Sequence, residues 1–103
     1  MAAPTYFESE RRVVITGMGV IAPNGQDLET FWTSVRDGVS AAGPCTRFEV
    51  RDCPSKFAAE IRNWNAAEYM DAKTAKRSER SLQYGLSATL LAVTDARLDI
   101  NEI

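Results

Sequence analysis

The stretch that most constrains this chain is Arg12 to Ala22, RVVITGMGVIA. It is rich in β-branched and small apolar residues and has no alternating polar positions. A strand with one wet face alternates; a strand covered on both faces need not. The run therefore predicts a doubly buried strand in the parallel sheet of an α/β protein. Pro23-Asn24-Gly25 then predicts a turn.

Asp27 follows as an N-cap, because its carboxylate can accept amide hydrogens that the first helical turn leaves free. Leu28, Phe31, Trp32 and Val35 stand at i, i+3, i+4 and i+7, the apolar face of a short helix. Gly38 is placed to end that helix in a left-handed conformation. From Val39 to Pro54, Gly43-Pro44, Cys53-Pro54 and scattered charges predict a loop. Lys56 to Arg62 predicts a short strand, and Asn63 to Met70 a turn with a short helical piece. Asp71 then caps a long helix to Ala96, with Leu82, Leu86, Leu90 and Val93 as its apolar stripe. Gly85, Ser87, Ala88 and Ala92 are small enough to admit another backbone. The order β-α-(loop, β)-α leaves the second helix needing a further strand to cover. Residues 1–10 read as a leader with neither signal-peptide nor transit-peptide character.

Composition narrows the chemistry. The 103 residues are 45% apolar and 25% charged, and twelve Lys and Arg against fourteen Asp and Glu give a net charge of -2. Nothing there marks a nucleic-acid binder. No apolar run approaches a membrane span. Two cysteines without a secretory signal suit a reducing cytoplasm. There is no histidine, which removes the commonest general base and metal ligand.

Gly17-Met18-Gly19-Val20-Ile21-Ala22 has the spacing of a dinucleotide fingerprint. The glycines of that motif must open directly into a helix whose N-terminus holds the pyrophosphate. Pro23-Asn24-Gly25 intervenes, so the glycines read instead as points where a strand passes close to its neighbours. Cys45 and Cys53 lack the partners a metal site or an activated nucleophile requires, and read as ordinary loop or core residues. Trp32 belongs to the first helix; Trp64, Tyr69 and Tyr84 read as packing residues. No cofactor is implied.

Lys73, Lys76, Arg77 and Arg80 stand at i, i+3, i+4 and i+7, one face of the second expected helix. At its start they oppose the macrodipole, at a cost of about 0.3–1 kcal/mol each. Such a stripe is either a solvated charged face or a surface for an anionic partner.

Arg11-Arg12-Val13-Val14-Ile15-Thr16-Gly17-Met18-Gly19 resembles the opening of the β-ketoacyl-acyl-carrier-protein synthases. So do Pro23, Gly25, Phe31-Trp32, Lys56-Phe57-Ala58, Gln83-Tyr84-Gly85 and Asp95-Ala96-Arg97-Leu98 after it. The resemblance covers nearly everything from Arg11 to Ile103. It implies the N-terminal part of a thiolase-like layered α/β fold, incomplete in this chain, over residues 11–103. It also implies a cytoplasmic, homodimeric acyltransferase that condenses acyl-enzyme thioesters with malonyl-carrier in fatty acid or polyketide synthesis.

The Cys nucleophile and two His of that family fall outside this chain, so no catalytic residue is assigned here and the chain alone is expected to be inactive. Lys73, Lys76 and Arg77 fall where the family docks its acidic acyl carrier protein; Arg80 has no such counterpart. Ser78-Glu79 replaces the common Met-Asp, and Arg97 stands where a Gly often ends the helix. A non-condensing chain-length factor, or a self-contained module holding an anionic partner, are the other readings.

Overall fold

The computed structural model describes residues 11–102; the leader expected at residues 1–10 lies outside the described residues. Helix α1 spans Leu28–Arg36, and strands β1 (Ala42–Pro44) and β2 (Phe57–Ala59) form an antiparallel pair. Helices α2 (Ala72–Arg77) and α3 (Arg80–Asp95) follow, with 3-10 turns at Ala66–Glu68 and Ile100–Glu102.

The caps form as their residue types dictate. Asp27 Oδ1 accepts from the Thr30 amide at 2.7 Å, and Asp71 Oδ1 from the Thr74 amide at the same distance. Gly38 is left-handed (φ 68°). Its amide donates to Val35 O and that of Val39 to Ser34 O, the paired bonds that satisfy a helix's last carbonyls. Arg97 makes the same closure on α3 with φ 56°: its amide donates to Thr94 O, and the Leu98 amide to Val93 O. A side chain there is strained, whereas glycine is not. Arg97→Gly is therefore expected to stabilise the protein by about 1 kcal/mol, read as a raised denaturant midpoint at unchanged slope.

Three expectations are corrected. Residues 12–22 enter no strand ladder among the described residues, and Val13 and Ile15 are 99% and 82% exposed. The pattern for burial is present, but no described strand pairs with it. The sheet that does form is antiparallel and includes Ala42–Pro44, inside the expected loop. Finally, the long helix is two. Ser78 (φ -108°, ψ 135°) and Glu79 (φ -69°, ψ 159°) are extended between α2 and α3. The Ser78 hydroxyl donates to Thr74 O at 2.6 Å, offering the backbone an alternative to helix continuation. Gln83 Nε2 donates to Ala75 O at 2.9 Å and to Ser78 O at 3.3 Å, satisfying carbonyls the break exposes.

The glycines at 17 and 19 do pass close to a neighbour. A Cβ at Gly17 would lie 2.5 Å from Ala92 O, and one at Gly19 would collide with Ala88 O. The Met18 amide donates to Asp95 Oδ2 at 2.9 Å, pinning the extended segment to α3. The small-residue face of α3 is thus the face in use, while Leu82, Leu86 and Leu90 stay 43–52% exposed. No described apolar residue is fully buried. The radius of gyration is 18.5 Å, against about 13 Å for a compact chain of this length.

Candidate functional site: a basic elbow between two helices

Lys73, Lys76 and Arg77 lie on α2, all exposed, and make no hydrogen bond or ion pair with another described residue. Their i, i+3, i+4 spacing places them on one face. Arg80 is separated from them by the break, so the four cations do not share a helix face. The break also reverses the dipole argument for two of the four, while Lys73 and Arg80 still stand in the first turns of α2 and α3. Lys76 and Arg77 occupy the last turn of α2, where cations are favoured.

A six-residue helix does not hold itself. The ends of α2 are closed by Asp71 at one side and by Ser78 and Gln83 at the other. Gln83 is buried, and its Oε1 accepts from Trp64 Nε1 at 3.0 Å. Trp64 in turn stacks on Tyr69 (centroids 5.2 Å, 7°) and meets Tyr84 edge-on (4.9 Å, 81°). The aromatic residues that share no sequence spacing thus converge to brace the elbow. Gln83's positioning role went unread in the sequence. Its signal was a long polar side chain one turn before the small residues Ser87 and Ala88.

Beside the elbow, Arg47 donates to Ile61 O at 2.9 Å and to the Tyr84 hydroxyl at 3.1 Å, and Arg80 reaches the same hydroxyl at 3.4 Å. Burial pushes the Tyr84 phenol up, but the two guanidiniums outweigh it and hold the group below its ordinary value. Arg47 was not read as part of a site from sequence, and Arg80 was read only with the basic stripe of the second helix. An open cleft of about 450 Å³ here is lined by Arg47, Arg62, Asn63, Trp64 and Arg80, with Glu60 at its wall. A larger cleft of about 730 Å³ lies between the 23–27 turn, α1 and β1, but its Asp27 carboxylate is engaged in capping α1.

Glu60 is buried, and its two oxygens accept from the Thr46 amide (2.7 Å) and hydroxyl (2.6 Å). The hydroxyl and then the amide hold its carboxyl down at about 2, from an ordinary 4.5. A carboxyl depressed in the folded state stabilises it fully above the unfolded value and loses that contribution as pH falls toward the folded one. Glu60→Gln is thus expected to be less stable than the native protein above about pH 5. The gap in unfolding midpoint should close as pH falls through 4 toward 2.

Cys45 and Cys53 are partly buried free thiols in the loop about β1. The Lys56 ammonium donates to Val50 O, Arg51 O and Cys53 O at 2.5–2.8 Å, folding that loop around a single charge.

Residues 10–103 match the family model described as the β-ketoacyl synthase N-terminal domain. The chain is similar to the 3-oxoacyl-[acyl-carrier-protein] synthase 2 of Synechocystis sp. strain PCC 6803. They share 37% identity over 94 residues, which is 91% of this chain and 23% of that protein. The enzyme of the same name from Staphylococcus aureus strain COL is 41% identical over 96 residues, 93% of this chain and 23% of that protein. Among solved structures, the ishigamide ketosynthase/chain length factor superposes with a TM-score of 0.83 at 32% identity. The match covers 92% of this chain and 24% of the other. The chain spans about a quarter of the length of these relatives, and its fold is a partial α/β ketosynthase fold of the thiolase-like kind.

Proposed function

Since this chain belongs to the β-ketoacyl synthase family through its N-terminal domain, we propose that the whole protein elongates acyl chains by decarboxylative condensation. In that reaction an acyl group passes from its carrier to a cysteine thiol. Malonyl-carrier then loses CO2, and the resulting carbanion equivalent attacks the acyl carbonyl and expels the thiolate. The chain has no histidine, so the imidazoles the reaction calls for come from elsewhere in the protein, as does the nucleophilic sulfur. The role of this segment is to present the carrier. Lys73, Lys76 and Arg77 dock the acidic acyl carrier protein, and the observation that carries this is three exposed cations on one face with no acidic partner among the described residues.

On this reading the exposed apolar faces, Val13 to Ile15 and Leu82 to Leu90, are covered by the remainder of the layered fold. The protein acts as a cytoplasmic homodimer in fatty acid or polyketide synthesis. No helix of the described residues is long and apolar enough to cross a membrane.

A second reading has a specific support: the ketosynthase structure that superposes on this chain carries a chain length factor in its name. A factor of that kind would keep the docking helix and lack condensation. The assay that separates them incubates the full-length protein with acyl thioester and malonyl-carrier. The condensing reading expects CO2 release matched by a product two carbons longer; carrier binding with neither would favour the factor.

A further inference from the structure

We propose that Arg80, braced with Arg47 on the Tyr84 hydroxyl, forms with Arg62 a second anchor that takes a carboxylate of the acidic carrier. The inference rests on the docking role of α2 and extends that surface across the Ser78 break.

Three guanidiniums in one open cleft repel each other, so a purely structural cluster would be expected to be matched by acids. Glu60 is the carboxylate lining this cleft; ionised, with its oxygens accepting from Thr46, it offsets one of the three positive charges and leaves the cleft with an excess of cations. Among the described residues no ion pair reaches Arg47, Arg62 or Arg80. The guanidiniums are nevertheless held in place. Arg47 is fixed by one nitrogen between Ile61 O and Tyr84, and Arg80 is steered by one nitrogen toward the same hydroxyl. Arg62 touches Pro44 O only at 3.5 Å.

Each arginine therefore keeps unclaimed N–H donors, in the planar fork that matches a two-oxygen acid. The Trp64 ring in the lining lowers the local dielectric and strengthens the pairing. Arg80 begins α3 directly after the two extended residues that follow Arg77. One acidic helix lying on α2 thus has a second basic contact across the break, and charge complementarity selects the carrier as occupant.

The test is the dissociation constant of the full-length protein for purified acyl carrier protein at low salt. Arg80→Gln is expected to weaken binding about five- to tenfold with an unchanged unfolding midpoint. Tyr84→Phe, which keeps the ring and frees both arginines, is expected to weaken it about two- to threefold. Arg36→Gln, which removes a cation already paired with Asp37, should leave it unchanged. If Arg80→Gln binds like the native protein while Lys76→Gln is weakened, the second anchor is overturned and the α2 reading stands. If Lys76→Gln also binds like the native protein, the α2 reading itself fails.

Discussion

Reversing three charges on α2 together, Lys73→Glu, Lys76→Glu and Arg77→Glu, is expected to cut kcat/KM for carrier-bound substrates about 100- to 1,000-fold in the full-length protein. Each reversal both removes an attraction and adds a repulsion, about 1 kcal/mol per exposed site, and three sum to about 3–4 kcal/mol. At about 1.4 kcal/mol per factor of ten, that gives the stated range. Small thioesters that carry no protein should be turned over within about twofold of the native rate, because none of the three side chains contributes chemistry. Raised ionic strength should shrink the native enzyme's advantage. Equal losses on carrier-bound and small substrates would place the cations in the reaction instead of in docking. Since Lys76 and Arg77 also favour the C-terminal end of their helix, the three Lys/Arg→Gln changes give the companion series. They should show a smaller loss on the carrier with little effect on the fold.

Gly19→Val is the second large effect, and it acts on stability. A Cβ at this position collides with Ala88 O, lies 2.6 Å from the Ala92 amide nitrogen and 3.0 Å from Leu91 Cβ. The first two are backbone atoms of a regular helix and cannot swing aside as a side-chain tip would. Separating the extended segment from α3 would also lengthen the Met18–Asp95 hydrogen bond. A loss of about 3 kcal/mol is expected, at the upper end for overpacking, measured by urea unfolding of the full-length protein. A variant that unfolds at the native midpoint would mean the segment does not lie against α3.

Local rules were legible in the sequence, and contacts at a distance were not. Asp27 and Asp71 cap because a short carboxylate faces amides two or three residues on. Gly38 and Arg97 are left-handed because helix closure demands it of whatever residue stands there. The three cations of α2 could be named for a similar reason, since three and four residues of spacing fix a face. The division at Ser78 could not be named. It depends on Gln83 reaching back to Ala75 O and Ser78 O, a bond that appears only once both helices are placed. Strand β1 was missed because Ala42–Pro44 has no alternation and includes a proline; it exists through its pairing with Phe57–Ala59. The Arg12 to Ala22 run was misread in the other direction. Its residues specify an environment, and an environment has to be supplied by other strands.

On the docking role proposed for α2, the interruption at Ser78 makes that helix an exchangeable cassette. Its start is closed by its own Asp71, and its end is tied to α3 through one neutral amide. Charge can therefore be rewritten on the outward side of six residues without disturbing the sixteen behind them. On that reading partner preference and scaffold integrity are separately adjustable, and transplanting Ala72–Arg77 between synthases is expected to exchange one carrier for another.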